Sequence, residues 1–387
     1  MYMIKTILLL NPVYVTLFWA IILNFASNKN NAPRNFLGKF MINALVIYLS
    51  HYIFYNSYIH IYMYIDPIYQ LSSLLAFPLY TIYLKILTTD NRFIFRKHRK
   101  YLIVPIILIL FYTTGLFCTP EEILKLWLFN RNLESDLPSI QYLNIISVLI
   151  KLTFIGQLIY LTLLSSSQII KYRKLVQEIY SDETEGKRDN TKLMNTVMIV
   201  TGLSSIILAI LGREFFKDIN IAILFASIIF STLLFVIGYL GYNQILVQNI
   251  ETIKKADNIV KEIQETDSLQ IRKLNKKMTD LFENDKIYLN ENLTIMDIAK
   301  ITGTNRTYIS HLINQNHNQN FCTFVNTYRI KELREQIQNN PDSTNVILAE
   351  KCGFSSTDSL KRIVKNMTGK SVSELKTEII NGIYQKT

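Results

Sequence analysis

The chain has 387 residues, enough for two or three domains, and only 18% of them are charged against 49% hydrophobic. Soluble proteins carry about a quarter charged residues, so part of this chain is not built for water. The net charge of +11 does not argue for nucleic acid: residues 1–241 hold 21 Lys/Arg against 13 Asp/Glu, whereas residues 242–387 are nearly balanced at 20 against 17.

Residues 3–26 are almost uninterruptedly apolar, the length that crosses a bilayer. Ser27-Asn28-Lys29-Asn30 offers no small-residue cleavage site, which favours a retained span over a signal peptide. Six further runs follow at 40–62, 65–87, 101–117, 142–164, 193–211 and 219–241, giving seven expected spans. Almost no charged face remains on any of them, so none reads as a helix of a soluble core.

Basic residues in short loops set the orientation. Lys29, Arg34 and Lys39 follow the first run, Arg92 to Lys100 the third, and Lys171 to Lys192 the fifth. The alternate loops are poorer, including the one expected at Asp66-Pro67. The basic loops are therefore expected in the cytoplasm, the N-terminus outside and the C-terminus inside. In the longest outer loop, 118–141, Ile123, Leu124, Trp127 and Leu128 have helical spacing and predict a short interfacial helix.

Lys151, Gln157 and His51 are polar groups at membrane depth. Either they mark an intramembrane ligand site or they snorkel and pair within the bundle. No HExxH, P-loop, GxSxG or GxGxxG stands in the spans or loops, so the reading is not an enzyme. Cys118, Cys322 and Cys352 show neither paired nor metal-type spacing, and no cofactor or metal is expected.

From Tyr242 onward charge rises. Leu246, Ile253, Ala256, Val260 and Ile263 fall on a/d spacing in a helical connector, 242–275. A homodimer through 242–275 is one reading of that pattern; an amphipathic helix lying on its own domain is the other.

Residues 294–303 and 344–353 carry one pattern, a short helix ending Ala-x-x-x-Gly, at Ala299/Gly303 and again fifty positions later at Ala349/Gly353. A polar turn and a second amphipathic helix follow each copy, the helix-turn-helix arrangement. The first recognition helix is expected to be capped by Asn305, with Ile309, Leu312 and Ile313 inward and Arg306, Thr307, Ser310, His311 and Asn314 outward. The second is expected to be capped by Ser355 or Ser356 and to continue through Thr357 and Asp358. Leu360, Ile363 and Val364 face inward there, and Lys361, Arg362 and Lys365 outward. Such groups read groove edges or hold phosphates, although a solvated charged face is always the plainer alternative. A helix over 321–337 joins the two copies. At about 24 Å, such a rod spaces two recognition helices for successive major-groove faces about 34 Å apart.

Leu293-Thr294-x-x-x-Ile298-Ala299, Tyr308-Ile309-Ser310, Asn326-x-Tyr328-Arg329-Ile330, Ala349-x-x-x-Gly353-Phe354-Ser355 and Gly369-x-Ser371 together resemble the arabinose-regulator (AraC/XylS) type of transcription factor. The resemblance covers about a quarter of the chain, 276–380, and implies a seven-helix, two-lobed domain whose recognition helices enter adjacent major grooves. Asn345, Leu360, Val364, Val372 and His311 depart from the family pattern, which implies a looser second lobe and a first lobe that is the better reader. The N-terminal part does not resemble the family's soluble sugar-binding domain; it is similar to the multi-span domains attached to some bacterial members.

The expected fold is all-α: a seven-span bundle (1–241), the connector, a double helix-turn-helix domain (276–381) and a tail (382–387). The expected function is a one-component transcription regulator in the bacterial cytoplasmic (inner) membrane. Its partners would be double-stranded DNA, the lipid bilayer and an unidentified signal ligand or partner protein. A transporter or channel carrying a helix-turn-helix appendage is the alternative; inverted repeats or broken helices would favour it.

Overall fold

The computed structural model describes residues 2–25, 31–90, 92–129, 136–181, 190–218, 220–244 and 268–384. Among the described residues it is all-α, with sixteen α-helices and no strand. Two compact units divide the chain: Met1–Ile169 with Asn190–Gln244, and Ile170–Asp189 with Ile245–Thr387.

In the first unit, α1 (Tyr2–Phe25) lies against α2 (Ala32–Tyr55) and α9 (Asn220–Tyr242). Helix α3 (Ile59–Lys85) packs on α2, and α8 (Thr191–Asp218) on α9. Among the described residues six helices are long and apolar enough to cross a membrane, and there are seven if the pair Phe95–Tyr101 and Ile103–Phe117, bent by 56°, is one span. That pair comprises α4 (Phe95–His98), a 3-10 turn and α5 (Ile103–Phe117). The short helix expected in the outer loop is present as α6 (Glu121–Phe129), with Trp127 fully buried and its Nε1 donating to Asn144 Oδ1 at 2.7 Å.

Two expected boundaries are corrected. The second span starts at Ala32 rather than 40, because the Asn31 side chain accepts from the Arg34 N–H at 3.1 Å and Pro33 suits the first turn. It stops at Tyr55, where Asn56 and Ser57 (φ 63°) turn the chain. Asp66-Pro67, expected as a loop, therefore lies inside α3. There Asp66 is fully buried and accepts from the hydroxyls of Tyr62, at 2.8 Å, and Tyr112.

The second correction concerns the fifth span. Helix α7 runs Pro138–Ile179, 42 residues, where 142–164 was expected. At 1.5 Å per residue it is ~63 Å long, about twice a hydrocarbon core. Apolarity fades after Leu164, but no Gly or Pro stands between Gln157 and Ile179 to end the helix. On its extension Tyr172, Val176 and Ile179, at i, i+4 and i+7, form a buried stripe.

The extension, from Ile170, belongs to the second unit. That unit also contains α10 (Ser268–Glu283), α11 (Ile295–Thr302), α12 (Arg306–His317), α13 (Phe321–Asn339), α14 (Asn345–Lys351), α15 (Thr357–Thr368) and α16 (Val372–Tyr384). These seven helices make two lobes. Phe282, Ile295, Ile298, Ile309 and Ile313 form the first core with Phe324 and Val325 of α13. Leu348, Leu360, Val364 and Leu375 form the second with Leu333 and Ile337 of the same helix. One continuous helix thus serves both cores. Leu360 and Val364 are fully buried, so the aliphatic residues at these positions close the second core rather than open it. Residues 245–267, which hold the a/d pattern and the expected dimer contact, lie outside the described residues.

Candidate nucleic-acid interface

Each helix-turn-helix is built by local capping. Thr294 and Asp297 form a reciprocal box: Thr294 Oγ1 accepts from the Asp297 N–H at 3.3 Å, and Asp297 Oδ2 accepts from the Thr294 N–H at 2.9 Å. Helix α11 then ends at Gly303, whose φ of 71° permits the left-handed turn. Asn305 caps α12, its side chain accepting from the Tyr308 N–H at 3.1 Å. In the second copy Thr344 caps α14, Gly353 turns with φ 74°, and Ser356 caps α15 by accepting from the Ser359 N–H at 3.2 Å. Of the two caps expected for α15, Ser356 is the one used.

The inward residues stand as the spacing predicts. Ile309, Leu312 and Ile313 are buried on α12, as are Leu360, Ile363 and Val364 on α15. Burying each such side chain contributes about 1.5–3 kcal/mol, enough to fix which face of each helix remains outside. On α12 that outer face shows Asn305, His311 and Asn314 exposed, with Thr307 and Ser310 half-buried. On α15 it shows Asp358, Lys361 and Lys365 exposed, with Ser356, Thr357 and Arg362 half-buried. The Lys365 ammonium donates to the Gly369 carbonyl at 2.8 Å and so caps its own helix. These amides, hydroxyls, imidazole and cations are hydrogen-bonding groups suited to base edges and phosphate oxygens.

Arg306 departs from its expected outward position. Only 5% of it is exposed, and Nη2 lies 3.4 Å from Glu178 Oε2. That distance is long for a charge-assisted hydrogen bond, and only the guanidinium is buried, since the Glu178 side chain keeps 41% of its surface exposed. The cause is the α7 extension, which brings Glu178 to the start of α12.

The extension is fastened at its end. Tyr180 and Thr294 form an antiparallel bridge, and the Ser181 N–H donates to the Leu293 carbonyl at 3.1 Å. The Ser181 carbonyl accepts from Cys322 Sγ at 3.4 Å, Asn326 Nδ2 at 3.2 Å and Arg329 Nη1 at 3.4 Å. Arg329 is fully buried and also donates to Ser181 Oγ (3.1 Å), Tyr288 O (2.8 Å) and Asn290 O (2.8 Å). Beside it Glu332 accepts from Lys286 Nζ at 2.8 Å and Tyr288 OH at 2.9 Å. Burial pushes the Glu332 carboxyl up, but the hydrogen bonds from Lys286, Gln336 and Tyr288 outweigh it and hold it below the usual carboxylate range. Glu178, Ser181 and the buried role of Arg329 were not expected. The one available signal was the amphipathic spacing of Tyr172, Val176 and Ile179 beyond the apolar run.

Of the three polar residues at membrane depth, His51 pairs through Nε2 with the Tyr69 hydroxyl at 3.2 Å, and Lys151 is exposed on α7.

Residues 298–378 match the family of the helix-turn-helix domain. The match supports the arabinose-regulator type for that stretch, and with it DNA-binding transcription regulation. No curated protein and no solved structure matches the chain.

Proposed function

We propose that this chain is a membrane-anchored one-component transcription regulator. The apolar helices would hold it in the cytoplasmic membrane and receive a signal there, and the two-lobed domain would bind promoter DNA. The observation that carries the reading is α13: one helix embedded in both cores gives two capped recognition helices a common support within a single chain. Affinity would come from phosphate contacts, with a salt dependence that counts them. The first lobe, with its run of amides, hydroxyls and imidazole, is the better base reader; Lys361 and Lys365 on the second suit the backbone.

The topology supports the same reading. Basic residues favour a cytoplasmic loop after α7, and Ser181 at the start of that loop bonds within the helix-turn-helix unit. The bend before α5 is the kind of break a transporter uses. It falls beside Arg96, Lys97, Arg99 and Lys100, at the basic end of the apolar run, whereas transporters bind at the middle of their broken helices.

Selection of duplexes from a random-sequence pool by the full-length protein in detergent micelles tests the reading. Recovery of a shared sequence, bound with an affinity that falls steeply with salt, is the expected result. Recovery of unrelated sequences, or none, would contradict it.

A further inference from the structure

The end of α7 occupies the ground that a DNA-reading arginine would need. Arg306 is the first residue of α12, and the first residues of a recognition helix are those that reach DNA in this arrangement. It is the only lysine or arginine of α12, yet it is 5% exposed and pairs with Glu178. The contact is not a lone surface ion pair. It is backed by the Tyr180–Thr294 bridge, by the Ser181 N–H to Leu293, and by the donors from Cys322, Asn326 and Arg329 that meet on Ser181. The docked arrangement is therefore a defined minimum, and leaving it exposes a specific set of polar groups to water. Glu178 stands on the same unbroken helix, Pro138–Ile179, as the apolar segment, and Ser181 follows two residues after its end.

We infer that residues 172–181 are a regulatory arm of the DNA-binding domain. Docked, the arm holds Arg306 on Glu178 and away from DNA; lifted by a movement of α7, it frees Arg306 to take a phosphate or a guanine edge. The signal thereby sets DNA affinity by switching one cation, with no need to unfold either lobe. This inference rests on the DNA-binding reading above and names its regulation.

The test uses the full-length protein in micelles and a duplex it has itself selected. Glu178 is 41% exposed in its side chain, so Glu178→Ala leaves the fold intact. The variant should bind about tenfold tighter, which is 1.4 kcal/mol. Its log–log salt slope should steepen by about 0.9, the value of one added phosphate contact. In an Arg306→Ala background the same substitution should change nothing. Alkylation gives a second readout. Cys322 is 5% exposed beneath Ser181, while Cys352 is fully buried and its thiol is pushed up to about 12 by burial, with Glu332 adding to the shift. In a Cys118→Ser chain, the duplex and Glu178→Ala should each raise Cys322 labelling several-fold. Equal affinity and labelling with and without Glu178, or a gain that persists without Arg306, would overturn the arm. If the duplex is bound and Lys361→Ala weakens it while Glu178→Ala is silent, the arm alone fails. If no duplex is selected, the DNA-binding reading fails and takes the arm with it.

Discussion

The guanidinium of Arg329 meets Ser181 twice, Nη2 donating to the hydroxyl at 3.1 Å and Nη1 to the carbonyl at 3.4 Å. The two residues are 148 positions apart, and the bond ties the end of the α7 helix to the helix that both lobes share. The same guanidinium reaches Tyr288 and Asn290 and lies 6.0 Å from the Phe354 ring of the second lobe. Arg329→Ala should therefore destabilise the second unit by about 3 kcal/mol, since it leaves several buried acceptors unmet. Arg329→Lys should recover less than half of that, because an ammonium cannot span the fork. Hydrogen exchange of the α13 amides in the full-length protein measures both; an Ala variant within about 0.5 kcal/mol of the parent would show that the clamp is idle.

The Lys286–Glu332 pair gives the second unit a pH window. The Glu332 carboxyl is held below its unfolded value, so its stabilisation is present above the ordinary carboxylate range and lost as pH falls through the folded value. Lys286 is raised by its hydrogen bond to Glu332, so its share is present below the ordinary lysine range and lost as pH rises through the folded value. Glu332→Gln should cost about 2 kcal/mol at neutral pH. The difference from the parent should shrink as pH falls below about 4. A difference that stays constant down to strongly acid pH would show that the charge of Glu332 is not what stabilises.

Gly303 and Gly353 occupy equivalent turns with φ of 71° and 74°, but their surroundings differ. A Cβ on Gly303 meets nothing within 4 Å, whereas on Gly353 it would stand 2.6 Å from Tyr288 O and 2.7 Å from Leu289 Cα. Gly303→Ala should cost only the left-handed strain, about 1–2 kcal/mol. Gly353→Ala should cost at least about 2 kcal/mol more, because main-chain atoms cannot move aside as a side chain can. Equal losses in protease-resistance midpoints would contradict the close packing of the second turn on residues 288–289.

Cys118, exposed just after α5, reports on orientation. With the N-terminus outside, a membrane-impermeant maleimide should label intact spheroplasts at Cys118, and Cys118→Ser should abolish the signal. Labelling only after the membrane is broken would reverse the topology and place the helix-turn-helix domain outside the cell.

What could be read in the sequence was what is set locally. The caps Asn305 and Ser356, the turns at Gly303 and Gly353, and the inward faces of α12 and α15 each depend on residues within one or two turns. Helix α13 could be read too, because its apolar positions fall in two groups along one helix. The α7 extension could not be read from hydropathy, which marks where apolarity ends and not where a helix does. The burial of Arg306 could not be read either, because its partner, Glu178, lies 128 positions away. Asp66-Pro67 resembled a turn, but Asn56-Ser57 turns the chain first, and the hydroxyls of Tyr62 and Tyr112 make burial of the carboxylate tolerable.

On the proposed reading one chain is held in the membrane and on promoter DNA at once. Cross-linked cells expressing the full-length protein should yield, from the membrane fraction, a small set of discrete DNA fragments on pull-down. Lys361→Ala, which removes an exposed cation of α15 without touching either core, should reduce their recovery about tenfold. Fragments no more enriched than bulk DNA in the membrane fraction, or identical recovery from Lys361→Ala, would show that the membrane-held chain does not bind promoter DNA.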